Sequence, residues 1–129
     1  MENTDARAAI ADVMARYPDL TIDGLNGHRR EDFNERRAAL LSESGIREFE
    51  HARCWLSMVP RRTSPNRDCD SYRIKHVIEH WVGTYVANGA CIAAALSLGM
   101  AISMCPSGIN AWLGIAGQRK WPAEESVTV

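Results

Sequence analysis

WVGTYVANGACIAAALSLGMAISMCPSGINAWLGIAGQ, residues 81–118, holds 38 consecutive residues without Asp, Glu, Lys, Arg or His, in a chain of 129 residues that is 24% charged overall. Charged side chains are almost never fully buried unless paired, so a run of this length marks either the interior of a domain or a membrane segment. Its most apolar portion, residues 86–104, is 19 residues long, about the length of a spanning helix. Only Val86, Ile92, Leu96, Leu98 and Ile102 insert strongly there, and Asn88, Ser97, Ser103 and two glycines oppose insertion. Gly99 also falls where a helical pattern of 11 residues would stop. The run therefore predicts a buried helix over residues 89–98, apolar on every side and opened by Asn88, and no membrane association. Beyond Gly99, MAISM and INAWLGI flank the turn-forming CPSG, which predicts two short strands in a hairpin.

Ahead of this run, Ser71 is placed to cap a strongly amphipathic helix. Ile74, Val77, Ile78, Trp81, Val82 and Tyr85 make its apolar face, with Arg73, Lys75, His76, Glu79 and His80 opposite. Ser44 can cap an earlier helix whose stripe is Ile46, Phe49, Ala52, Leu56 and Val59, stopped by Pro60. Thr4 can cap an N-terminal helix carrying Ala6, Ile10, Val13, Met14 and Tyr17. Residues 31–41 read as a short helix, and residues 18–30 and 60–70 as loops rich in turn formers. The fold expected is mostly α within the α+β class, with four to five helices and a C-terminal β-hairpin. It occupies one domain over residues 1–120, and residues 121–129 read as a tail held by Trp121. Helix, helix, helix, hairpin is also the order of a winged helix. A recognition helix at 89–98 would offer bases only Asn88 and Ser97, however, so that version of DNA reading is not expected.

Net charge is −1 and selects neither a polyanionic nor a polycationic partner. The charge is nonetheless uneven: residues 1–60 carry 8 basic and 11 acidic groups, and residues 61–123 carry 7 basic and 3 acidic. Arg61, Arg62, Arg67, Arg73 and Lys75 fall within fifteen residues, in a presumed loop and the exposed start of a helix, where phosphate contacts are easily made. Cys54, Cys69, Cys91 and Cys105 form no Cys-x-x-Cys pair, and the N-terminus has neither a basic nor an apolar leader region. A cytoplasmic protein with reduced thiols is expected.

His76-Val77-Ile78-Glu79-His80 matches the H-x-x-E-H spacing of one class of zinc peptidase, with both imidazoles one helical turn apart and Glu79 as base. A third ligand would have to come from Glu124 or Glu125 in the tail. Lys75 and Glu79 form an ordinary i, i+4 pair, so His76 and His80 are weak metal candidates and neither metal nor cofactor is expected. No phosphate-binding glycine loop, nucleophile motif or internal repeat occurs, and no catalytic residue is assigned.

The series Ser71, Tyr72, Lys75, His76, Glu79, Tyr85, Asn88, Gly89, Ile92 and Ala93 to Ala95 resembles a pattern in small bacterial proteins carried on plasmids, phages and integrated elements. It spans about a quarter of the chain. The resemblance implies an accessory role: DNA maintenance, transcription control, or interference with a host or rival defence system. The expectation is a non-catalytic protein that associates with DNA or RNA through residues 61–75, without strong sequence preference. The alternative is a protein-binding accessory or inhibitor using a helix face. The residues say nothing of oligomeric state.

Overall fold

A computed structural model describes residues 2–25 and 31–123. Within them run α1 (Glu2–Arg16), α2 (Phe33–Ala38) with a 3-10 turn (Ala39–Leu41), α3 (Glu43–Leu56), β1 (Arg61–Asp70), α4 (Ser71–Val82), α5 (Asn88–Ser97), β2 (Ile102–Met104) and β3 (Ala111–Ile115). A last 3-10 turn covers Gln118–Lys120. The fold is thus α+β, with five α-helices and one antiparallel sheet of order β1-β3-β2. No helix among the described residues is long and apolar enough to cross a membrane.

The centre of the molecule is α5, as the charge-free run predicts. Every residue from Asn88 to Leu96 is buried, and α1, α3 and α4 pack around it. Gly89 is required for this: a Cβ there would collide with the Thr21 carbonyl oxygen. Around α5 lie the fully buried Trp55, Phe49, Ile10, Leu20, Ile74, Ile78, Leu113 and Ile115. Arg37 donates to the carbonyls of Met14, Tyr17, Pro18 and Leu20, so one guanidinium satisfies the backbone at the end of α1 and holds α2 against it.

Four expectations need correction. Residues 61–70 form a strand, not a loop. β1 pairs with β3 through Arg61–Ile115, Asn66–Leu113 and Asp70–Trp112, with register shifts between, so ten residues run beside only a few partners. Asn66 fills one gap: its Nδ2 donates to the Ile115 carbonyl at 3.0 Å and its Oδ1 accepts from the Asp68 N–H at 3.0 Å. Secondly, three caps lie elsewhere. Thr4 falls inside α1, Ser42 rather than Ser44 caps α3, and Asp70 caps α4 through the Arg73 N–H at 2.9 Å. Ser71 is freed for a tertiary bond, its buried Oγ accepting from the Ala111 N–H at 3.0 Å. Asn88, thirdly, does not cap α5; it is the first residue of the helix and its side chain bonds across the fold. Finally, Tyr85 does not extend the apolar face of α4. The helix ends at Gly83, whose φ of 85° turns the chain back, and Tyr85 is 64% exposed.

Of the expected tail, Trp121 is tied down: its Nε1 donates to the Ala116 carbonyl at 2.8 Å and its ring meets Trp55 edge-on at 5.6 Å. Residues 124–129, with Glu124 and Glu125, lie outside the described residues.

Candidate functional site

The basic residues singled out from the sequence divide into two groups. Arg61, Arg62 and Arg67 are exposed along β1, which forms one edge of the sheet. The Arg67 guanidinium lies over the ring of Trp112 on β3, 4.6 Å from its centroid. Arg73, exposed in the first turn of α4, leans back onto the same surface. It donates to the Asp68 carbonyl at 2.7 Å and to Gln118 Oε1 at 3.3 Å, and sits 5.2 Å from the Trp121 ring centroid. Two arginines stacked on two tryptophans therefore mark one face, and the exposed Arg119 and Lys120 continue it through the Gln118–Lys120 turn. Sequence reading missed Arg119, Lys120 and Trp112 as members of this surface. The signal was the string QRKW directly after the second hairpin strand.

Lys75 does not belong to that face. It is 5% exposed, and its Nζ donates to Glu79 Oε2 at 2.7 Å. The ammonium also faces the ring of Tyr85 at 4.3 Å and that of Tyr72 at 5.7 Å. The expectation of an exposed Lys75 fails because the chain reverses at Gly83 and brings Tyr85 and Val86 back over this side of α4.

Glu79 is the hub of this corner. It accepts from Lys75, from the Val86 N–H at 3.2 Å and from His76 Nδ1 at 2.9 Å. Burial opposes its ionisation, but these hydrogen bonds and the Lys75 charge outweigh burial and hold its carboxyl below the usual carboxylate range. A carboxylate so committed orients its neighbours. It is poorly placed to activate a metal-bound water between His76 and His80, and His76 Nδ1 is itself engaged. Among the described residues no three His, Cys, Asp or Glu side chains converge on a point that could hold a metal.

Thiol chemistry finds no support in the burial of the cysteines. Burial pushes the Cys69 and Cys105 thiols up and raises Cys91 to about 12, leaving Cys54 as the exposed thiol of four unpaired cysteines. Nor can α5 read bases, being enclosed along its length. What the surface offers is fixed positive charge and aromatic rings on an open strand edge, a combination that suits an extended polyanion. Comparison of the chain with protein-family models, with curated proteins and with solved structures returned no match.

Proposed function

We propose that the protein associates with nucleic acid, without base-specific reading, through the face built on β1. The observation that carries this is the stacking of Arg67 on Trp112 within a run of exposed arginines. Arg61, Arg62, Arg67, Arg73, Arg119 and Lys120 oppose only Asp68 and Asp70 here. Six positive and two negative groups leave a local balance of +4 in a chain whose net charge is −1. Arginine positions phosphates, and Trp112 and Trp121 add rings on which unpaired bases stack, so single strands should bind at least as well as duplex. Together with the resemblance to mobile-element proteins, this supports a non-catalytic role in maintenance or regulation of such an element, in a cytoplasm that keeps its cysteines reduced.

Fluorescence anisotropy with labelled random 20-nucleotide single-stranded and duplex DNA, and with RNA, tests the proposal. Binding should appear at low salt and fall at least tenfold in an Arg61→Ala, Arg62→Ala, Arg67→Ala variant of unchanged fold, since exposed charges contribute little to stability. No binding to any of these probes would refute it. The open edge of β1 would then fit an acidic extended protein segment, the alternative partner.

A further inference from the structure

The fold leaves a cleft of about 610 Å³ beside the first turns of α4, where the mobile-element pattern residues Tyr72, Lys75, His76, Tyr85 and Asn88 converge. Small-molecule sites usually enclose about 300–1,000 Å³. Isolated exposed apolar side chains are ordinary on a protein surface, whereas their concentration in a hollow is not. Tyr72, Tyr85 and Ile109, three of the five large apolar residues left exposed among the described residues, line this one cleft. Both tyrosine rings flank the Lys75 ammonium, which holds their faces towards a common space.

Asn88 supplies a second, independent observation. It is 7% exposed, and its Nδ2 donates to the Asp23 carbonyl and to Asn110 Oδ1, each at 2.9 Å. Two acceptors facing one end of the amide fix that end as the NH2, so the opposite end is the carbonyl. This Oδ1 is buried and has no hydrogen-bond partner among the described residues. Buried acceptors are normally satisfied, so an orphan in the lining of a cleft calls for a donor from a bound molecule. Asn110, its own carbonyl committed to Asn88, has an amide N–H2 left to offer. Charge is not what this cleft selects, because Glu79 neutralises Lys75.

Ring faces to stack on, a carbonyl that needs an N–H and an amide that needs an acceptor describe the edge and face of a flat heterocycle bearing both N–H and C=O or ring nitrogen. We infer that the cleft binds a single nucleobase, stacked against Tyr85 and Tyr72, with Asn88 Oδ1 accepting from a base N–H. The base can belong to a free nucleoside or to a strand lying on β1. The two surfaces meet where Asp70 pairs with Trp112 and Ser71 bonds to Ala111. The inference does not depend on binding at the β1 face.

Titration of the full chain with uridine, cytidine, adenosine and guanosine, followed by NMR of the Asn side-chain amides, tests it. At least one nucleoside should move the Asn88 and Asn110 amide signals saturably. Tyr85→Ala, at an exposed site that leaves the fold intact, should weaken that binding about tenfold, as loss of a base-stacking ring does elsewhere. Asn110→Ala is a second variant for the polar edge and should weaken it as well. Nucleoside affinity should be unchanged in the Arg61→Ala, Arg62→Ala, Arg67→Ala variant, which separates this cleft from the β1 face. A strand as the source of the base would appear as a Tyr85→Ala effect on oligonucleotide affinity. The inference is overturned if millimolar nucleosides leave both amides unmoved and Tyr85→Ala leaves oligonucleotide affinity unchanged. It is overturned equally if a nucleoside binds with the same affinity in Tyr85→Ala and Asn110→Ala.

Discussion

Replacing Lys75 with Met distinguishes a buried ion pair from a surface phosphate contact. Met keeps most of the aliphatic volume and removes the ammonium. At pH 7 Glu79 is then left ionised with 19% of its side-chain surface in water, holding only the Val86 N–H and His76. Removing one partner of a fully buried pair costs about 3–5 kcal/mol; the partial exposure of Glu79 and its remaining hydrogen bonds reduce that, while loss of the contact with the Tyr85 ring adds about 1 kcal/mol. We expect a net loss of about 2–4 kcal/mol, read from urea unfolding followed by tryptophan fluorescence. The loss should depend on pH in a defined direction. The folded-state pKa of Glu79 lies below its ordinary value of 4.5, so the stability it contributes is present above that value and disappears as pH falls through the lowered folded pKa. The difference between wild type and variant should therefore shrink at pH 3. A difference below about 0.5 kcal/mol at pH 7, the range of ordinary surface substitutions, would refute the buried pair. A difference that persists undiminished in acid would refute the role given to Glu79.

Three further outcomes follow from burial. Ala94→Asp places an unpaired carboxylate in the centre of α5 and should abolish the cooperative thermal transition in circular dichroism; an unchanged melting curve would put the core elsewhere. Glu48 is buried, and desolvation raises its pKa although the Ala87 N–H bonds to it at 3.0 Å. For a raised folded pKa, stability is fully present below the unfolded value and lost as pH rises through the folded one. Glu48→Gln should therefore be more stable than wild type at pH 8 and lose that advantage at pH 3.5 in paired urea titrations. An aromatic disulfide reagent should label one thiol of the native protein quickly, Cys54, and all four only after denaturation.

The parts of the fold legible in the sequence were those whose side-chain pattern had a single solution. The uncharged run could be satisfied only by enclosure, so α5 was identifiable, and CPSG between two short apolar runs could be little but a turn. β1 was hidden because RRTSPNRDCD contains a proline and almost no apolar residue. Its burial reduces to Asn66 and Cys69, and Asn66 uses its side chain in place of regular ladder bonds. The caps were misplaced where two competent residues lie close together, as with Asp70 and Ser71. Local chemistry allows either, and the tertiary bond to Ala111 decides. Lys75 was recognised as a partner of Glu79, yet its burial depends on the reversal at Gly83, which no helical period encodes. Of the candidate interface, Arg61, Arg62, Arg67 and Arg73 were legible as a charge cluster. Arg119, Lys120 and Trp112 join them only through the pairing of β1 with β3.

The salt dependence of DNA binding tests the central proposal most directly. Each phosphate neutralised on single-stranded DNA contributes a slope of about −0.7 in log K against log salt. With four to six of the β1-face cations engaged, the slope should be about −3 to −4, and it should fall to about half that in the Arg61→Ala, Arg62→Ala, Arg67→Ala variant. Absence of binding at low salt would contradict the account, as would a slope that the three substitutions leave unchanged.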